Sequence, residues 1–139
     1  MTGVLIQQMA GDGVDMLVGA VDDPSFGALV ACALGGTTAE LFADSAFRIA
    51  PVTDLDARSM TNELRSAPLL RGYRGAPVAD EAALHDAVLR LSALVMLCPQ
   101  IQEIEINPLR VLSCGTIALD ARARIEAVTP RPSGRRVQY

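Results

Sequence analysis

Two side chains near the end of the sequence, Asn107 and Asp120, have the oxygen chemistry that a divalent cation prefers. Folding residues 101–125 into a hairpin about the turn between Ser113 and Cys114 places Asn107 directly opposite Asp120. Magnesium typically binds one or two protein oxygens and fills its remaining positions with water and nucleotide phosphates. This pair is therefore sufficient for a magnesium site. The alternative is that Asn-Pro starts a turn and Asp120 ends a strand, with no ligand.

The same hairpin pairs opposite charges along one face. Glu105 faces Arg122 and Glu103 faces Arg124, while the residues between them are apolar. Directly opposed side chains on paired strands have Cβ atoms only about 5 Å apart, so these matches stabilise one register. A shift of one residue would move every side chain to the other face. The pattern therefore predicts a hairpin in which Asn107 and Asp120 share the polar face.

The composition excludes several kinds of chemistry. The chain has 139 residues, 50% of them hydrophobic, which is enough for one domain with a core. All 12 basic residues are arginines, so a Schiff base and a Walker-type phosphate lysine are both excluded. His85 is the only histidine and cannot build a multi-histidine zinc site. The net charge of −4 argues against a nucleic-acid surface.

The remaining features of composition concern location and boundaries. No apolar run reaches the roughly 18 residues of a membrane span, and no leader-type segment follows Met1, so we expect a cytoplasmic protein. The three cysteines lie far apart without a CxxC pair, and we expect buried free thiols. Residues 1–128 are predicted to form one domain. Residues 129–139 are basic and rich in proline, which predicts a disordered tail or linker.

Three short apolar runs, at residues 4–9, 14–21 and 28–34, are separated by turn-forming residues. They predict an antiparallel meander. Because the runs are apolar almost throughout, we expect both faces of the sheet to be covered.

Two helices are predicted in the middle of the chain. One is capped by Thr53 or Asp54 and continues to about Leu64, and the other runs from Asp80 to about Leu97. The second carries an apolar stripe at helical spacing, which predicts a core contact: Leu84, Val88, Leu91 and Val95. His85 falls on the polar side and is expected to be exposed. Strands and helices together predict an α+β fold, mainly an antiparallel sheet flanked by helices.

Several segments of the chain match, in order, segments of one known family. The strongest are EIEINPL at 103–109 and ALDAR at 118–122, and the others are VLIQQM at 4–9, VDDPSFG at 21–27, LGG at 34–36, AFRIAP at 46–51 and LLRGYRG at 69–75. Together they resemble the ATP-grasp domain of nucleoside-diphosphate-forming acyl-CoA synthetases, whose closing hairpin the first two segments match, and the beta chains of succinyl-CoA synthetases look similar in that hairpin. The resemblance covers residues 4 to about 126 and implies the C-terminal lobe of an ATP-grasp fold.

This resemblance implies the nucleotide- and magnesium-binding half of an enzyme that converts a carboxylate, CoA and ATP to acyl-CoA, ADP and phosphate through a phosphohistidine. Other domains or subunits would supply the N-terminal grasp lobe and the CoA-binding domain, so the chain alone is expected to be inactive. Apolar surface facing the missing lobe predicts some self-association. The alternative is a non-catalytic packing or regulatory module of the same fold.

The resemblance also implies roles for individual residues that contact the nucleotide. Gln7 and Met9 match the hinge that meets adenine. Gly35 and Gly36 match a turn whose backbone N–H groups approach phosphate, although a plain turn is the alternative. Arg48 is the candidate phosphate contact, because a guanidinium binds phosphate oxygens in bidentate fashion, with a surface ion pair as the alternative.

At the metal, the resemblance implies Asn107 and Asp120 as ligands and Glu105 as a third candidate. No catalytic residue is expected within this chain, and His85 matches no phosphohistidine segment. Asp15 stands where family members often have Glu, which puts a ribose contact there in doubt. Thr37 continues the glycine turn, and Glu40 matches a family position without an assigned role.

Overall fold

The computed structural model describes residues 3–4, 6–36 and 43–127. Within these ranges the chain forms an antiparallel sheet with helices, as the sequence predicted. The elements follow in this order: β1 (Val14–Asp23), β2 (Gly27–Leu34), β3 (Ser45–Ile49), α1 (Asp54–Glu63), α2 (Ala67–Leu70), a 3-10 turn (Tyr73–Gly75), α3 (Glu81–Leu97), β4 (Ile101–Val111), β5 (Thr116–Ala118) and β6 (Ala121–Ile125).

The sheet has the strand order β3-β2-β1-β4-β5, and β6 pairs with β4 beyond β5. β1 and β2 form the predicted hairpin, in which Asp23 pairs with Gly27. The Asp23 carboxylate closes the turn by accepting the N–H groups of Ser25 at 2.7 Å and Phe26 at 2.9 Å. β4 then enters between β1 on one side and the closing strands β5 and β6 on the other, so β4 is an inner strand of the sheet.

The closing hairpin has the predicted register. Glu103 pairs with Arg124 and Glu105 pairs with Arg122. Toward the turn, the backbone N–H of Asn107 donates to the carbonyl oxygen of Asp120 at 3.1 Å. The prediction that these two residues lie opposite each other is therefore confirmed.

The hydrophobic core lies between one face of the sheet and the helices. Alternate residues of β1, such as Met16 and Val18, are fully buried there. The predicted stripe of α3 packs onto them, and all four of its residues are buried: Leu84, Val88, Leu91 and Val95. Successive side chains of a strand point to opposite faces of the sheet, so only every second strand residue contributes to the core.

The opposite face of the sheet, which we call the open face, is not covered by the described helices. It is formed by the other alternate residues of the strands, among them Leu17, Val21, Leu29, Phe47, Ile49, Glu103 and Glu105. Phe47 and Ile49 each remain 55% exposed. The expectation that both faces are covered was therefore wrong. α1 and α3 both pack on the core side, and apolar strand residues on the other side point outward.

The predicted strand at residues 4–9 is not formed in the described part of that segment, which excludes residue 5. Ile6 and Met9 are each 89% exposed. A strand needs a partner, and both edges of β1 are already taken, by β2 and by β4. The described residues of this run therefore have no free edge of β1 to pair with.

The two long helices begin and end where the sequence predicted. Thr53 caps α1 through a reciprocal pair of hydrogen bonds with Asp56. Asp80 caps α3 by accepting the N–H of Ala83 at 3.0 Å, and its other carboxylate oxygen accepts the N–H of Gly115 at 2.8 Å. The start of α3 is thereby joined to the turn between β4 and β5.

His85 is half-buried rather than exposed, so that prediction was wrong. Its Nε2 lies 3.0 Å from Oγ1 of Thr61, a buried residue of α1, because α1 crosses α3 on this side. Among the cysteines, Cys32 is buried as expected, whereas Cys98 is half-buried and Cys114 is exposed in a turn.

Two further predictions concern the tail at the end of the chain and the presence of a membrane span. The proposed tail at 129–139 lies outside the described residues and remains a prediction. No helix in the described ranges is long and apolar enough to cross a membrane.

Candidate functional site

Asn107 is the centre of a small hydrogen-bonded cluster on β4. Its Oδ1 accepts the backbone N–H of Gly36 at 3.1 Å, and its Nδ2 donates to Oε1 of Glu105 at 2.9 Å. Glu105 and Asn107 are two residues apart on one strand, so both side chains lie on the open face. The structure therefore fixes the orientation of the carboxamide from two sides.

The side chains of Asn107, Glu105 and Asp120 fit a hard divalent cation. They offer one carboxamide and two carboxylates, and oxygen donors of this kind are what magnesium takes from proteins. In the described part of the chain, no group of three or more His, Cys, Asp or Glu side chains is arranged to hold a metal. The candidate set depends on the carboxamide of Asn107, which the register brings opposite Asp120.

The charge partners on this face differ from those predicted. Arg122 stands opposite Glu105, but its Nε lies 3.5 Å from Oδ2 of Asp120. Arg124 does pair with Glu103, at 3.6 Å. Asp120 thus carries a neighbouring cation, while Glu105 accepts a hydrogen bond from Asn107 instead.

The glycine turn after β2 reaches this cluster by a close approach. The N–H of Gly35 donates to the carbonyl oxygen of Asp15 at 2.9 Å, and a Cβ on Gly35 would lie 2.4 Å from the backbone of Met16. Gly36 has φ +77°, which favours glycine. Both N–H groups expected to approach phosphate are engaged within the protein. Thr37 and Glu40 lie outside the described residues.

Arg110 belongs to this end of the sheet and was missed from the sequence. Its guanidinium binds the Asp15 carboxylate in bidentate fashion, at 2.7 and 3.1 Å. The two residues pair across β1 and β4, 95 positions apart in the chain. Only the strand order reveals that contact. The short side chain of Asp15 is thereby held at Arg110, which gives no support to a ribose contact.

Arg48 lies on the core side of β3, away from the open face. It pairs in register with Val30, a core residue, and its guanidinium binds Glu63 and donates to Oγ of Ser59 at 3.2 Å. Asp56 lies 3.8 Å from its Nε. Hydrogen bonding to Glu63 raises the pKa of Arg48. The structure shows the ion-pair alternative and does not bring Arg48 to the glycine turn.

Gln7 and Met9 lie in the coil that leads into β1, and both side chains are exposed. The described structure does not bring them to Asn107. Of the residues predicted for the site, Asn107 contacts Glu105 and Gly36 through its side chain and Asp120 through its backbone N–H. Arg48 and the adenine-hinge pair do not contact Asn107.

Residues 1–125 match the family model of the ATP-grasp domain, and the chain belongs to that family. The beta subunit of ADP-forming acetate–CoA ligase I from Pyrococcus furiosus is 39% identical over 120 residues, which cover 86% of this chain and 52% of the subunit. A trans-feruloyl-CoA synthase from an unknown prokaryotic organism is 38% identical over 129 residues, covering 89% of this chain and 18% of the synthase.

The fold agrees with that assignment. A solved structure of the dinucleotide-forming acetyl-coenzyme A synthetase 1 of Ca. Korarchaeum cryptofilum, in complex with coenzyme A and Mg-AMPPCP, matches with a TM-score of 0.82 at 37% identity. The match covers 84% of this chain and 55% of that chain. This chain therefore spans about half the length of the ligase subunit and a smaller part of the trans-feruloyl-CoA synthase.

Proposed function

We propose that this chain is the nucleotide- and magnesium-binding half of an NDP-forming acyl-CoA synthetase. The whole enzyme would convert a carboxylate, CoA and ATP to acyl-CoA, ADP and phosphate through a phosphohistidine. The observation that carries the proposal is the hydrogen-bonded cluster of Asn107, Glu105 and Gly36, with Asp120 opposite Asn107 across the hairpin. The similarity to ADP-forming ligases supports it.

Asn107, Glu105 and Asp120 would hold magnesium, and the bound ion would neutralise negative charge during phosphoryl transfer. Glu105 accepts a hydrogen bond from Nδ2 of Asn107 and so keeps Oδ1 directed away from itself. Gly36 holds the same oxygen from the side of β2. Oδ1 of Asn107 is therefore oriented before any ion arrives, which lowers the ordering cost of binding.

The open face supports the view that another lobe completes the site. Phe47, Ile49 and Val21 are exposed large apolar side chains on it. Contiguous exposed apolar surface marks an interaction site. We propose that the N-terminal grasp lobe of the same synthetase packs there and that CoA binds other domains or subunits.

The comparisons bear on the acyl substrate only indirectly. Relatives named for acetate and for feruloyl-CoA match this chain at 39% and 38% identity, although their acids differ greatly in size. If this segment selected the acid, its sequence identity to the two relatives would be expected to differ. We therefore assign acid selection to the parts of the enzyme outside this chain.

Calorimetric titration of the chain with Mg-ADP tests the proposal. We expect saturable binding that is lost when EDTA removes the magnesium, and tighter binding when the remaining domains of the synthetase are added. The isolated chain should make no acyl-CoA from acid, CoA and ATP.

The open face and the internally engaged N–H groups of Gly35 and Gly36 favour one other function, a non-catalytic packing module. Such a module would bind the other domains but show no heat of nucleotide binding, with or without them. That result would reject the proposed nucleotide site.

A further inference from the structure

The loop between α2 and α3 contains an unusual backbone. Gly72 has φ +85°, Arg74 has φ +53° and Gly75 has φ +81°. Glycine adopts these values freely, but an arginine does so at a cost of about 1–2 kcal/mol. Two hydrogen bonds hold the loop, from the N–H of Gly75 to Gly72 and from that of Ala76 to Tyr73, both at 3.2 Å. Strain that persists in this way is typical of functional sites.

The guanidinium of Arg74 lies 5.3 Å from the centre of the Tyr73 ring. This contact fixes one face of the guanidinium and leaves its N–H groups at the edge available for oxygen acceptors. In the ion pairs of the described residues, Arg48, Arg71 and Arg110 each bind a carboxylate, whereas Arg74 binds none. Arg74 is thus an exposed cation without a counter-charge.

The position of the loop connects it to the candidate metal cluster. Tyr73 and Ala76 line a cavity of about 360 Å³ together with Asp15, Gly35 and Gly36. Gly36 in turn donates to Asn107. The loop that carries Arg74 therefore stands at the same end of the sheet as the oxygen cluster proposed to hold magnesium.

We infer that Arg74 is the phosphate-binding cation of this site, contacting phosphoryl oxygens of the bound nucleotide or of free phosphate. The chain has no lysine, and Arg110, which lies beside the glycine turn, is already paired with the Asp15 carboxylate. A guanidinium presents N–H groups in a planar fork that matches phosphate oxygens. This inference rests on the proposed nucleotide-binding function and names the residue that recognises the charge.

The test measures binding of Mg-ADP, adenosine and inorganic phosphate to the full chain by calorimetry. Arg74→Gln should weaken ADP binding by about tenfold or more and leave adenosine binding unchanged, because adenosine has no phosphate. A loss restricted to ADP assigns the nucleotide phosphates, and an added loss of inorganic phosphate binding assigns a free-phosphate subsite. Arg58→Gln is the matched control, since Arg58 is an exposed arginine of α1 that forms no ion pair with a carboxylate among the described residues, and it should change nothing.

Arg74→Gly separates binding from folding. Glycine relieves the strain at φ +53°, so the melting temperature should stay equal or rise while ADP affinity falls as in Arg74→Gln. Arg74→Lys should restore part of the affinity. If wild-type chain binds ADP and the Arg74 variants bind it equally well, this inference fails while the proposed function stands. If wild-type chain binds neither ADP nor inorganic phosphate, both fail.

Discussion

The backbone N–H of Gly36 donates to Oδ1 of Asn107 over 3.1 Å, and this bond fastens the end of β2 to β4 at the candidate metal cluster. The two residues are 71 positions apart in the chain. A carboxamide oxygen has two lone pairs, so Asn107 can accept this bond and still offer an oxygen to a cation. The glycine turn and the proposed ligand are thus positioned as one unit.

Asp120→Ala should nearly abolish phosphoryl transfer in the complete enzyme without unfolding it, because it removes the only full charge of the Asn107 and Asp120 pair. Glu103→Ala is the control. Its partner Arg124, at 3.6 Å, forms a surface pair worth at most about 1 kcal/mol. Turnover as a function of magnesium concentration measures both. Equal losses from the two substitutions would mean that this face of the hairpin is structural.

The isolated chain should self-associate through the open face. Replacing Phe47 and Ile49 by serine should shift light scattering at high concentration toward the monomer, because both side chains are exposed there. Leu97→Ser removes an exposed apolar side chain at the end of α3 instead, and it should have little effect. A strictly monomeric wild-type chain would contradict this expectation.

Gly35→Ala should destabilise the fold by about 1–3 kcal/mol, because the added methyl group must push against the backbone of Met16. Gly11→Ala is matched in chemistry but has open space around the new Cβ, so its midpoint in urea should hardly move. Chemical denaturation followed by circular dichroism gives both values. A Gly35 variant as stable as the Gly11 variant would show that the backbone of β1 moves at Met16 to accommodate the added methyl group.

Stability should depend on pH through His85. Burial lowers the pKa of His85 below its ordinary value of 6.5 and is the largest cause of the shift. The charge of Glu81 opposes this lowering, whereas the charges of Arg58 and Arg71 add to it. Well above pH 6.5 the ring is neutral in both the folded and the unfolded chain. As the pH falls through 6.5 the unfolded chain binds the proton first, so the free energy of unfolding decreases. The melting temperature of His85→Gln should therefore fall less than that of the wild type between pH 7.5 and 5.5, a window of roughly one unit on either side of the ordinary pKa. Identical pH profiles would exclude a role for the ring.

The cysteines should differ in reactivity toward a thiol reagent. Burial raises the pKa of Cys32 to about 12, and this thiol is fully enclosed, so it should react only on unfolding. Cys114 is exposed in the turn after β4 and should react in the native state. Cys114→Ser should remove the fast phase, whereas Cys32→Ser should leave it intact. A fast phase that survives Cys114→Ser would assign it to the half-buried Cys98.

Local patterns predicted the parts of this fold whose partners are close in sequence. The caps at Thr53 and Asp80, the α3 stripe and the register that sets Asn107 opposite Asp120 all depend on residues within one helix or one hairpin. In such segments, spacing alone determines which side chains meet. The structure confirms each of them.

Contacts between distant segments escaped the same reasoning. Arg110 binds Asp15 and His85 meets Thr61 only because β4 enters beside β1 and α1 crosses α3. The apolar run that contains Ile6 predicted a strand, because apolar residues indicate that a segment favours burial but not whether a partner strand is available to it. The same reasoning explains why the apolar residues of the open face were expected to be covered.

The carboxylate of Asp80 has a consequence for how the molecule opens. It accepts N–H groups from Ala83 in α3 and from Gly115 in the turn between β4 and β5, while its own N–H donates to Leu112 at 2.8 Å. Fraying the first turn of α3 therefore frees the amide of Gly115 as well, although the two are 35 residues apart. An exposed turn of this kind would ordinarily exchange its amide protons rapidly, independently of any helix. Here the start of α3 and the turn form one cooperative unit. We expect the Gly115 amide to exchange with solvent only when the hydrogen bonds of both segments to Asp80 break.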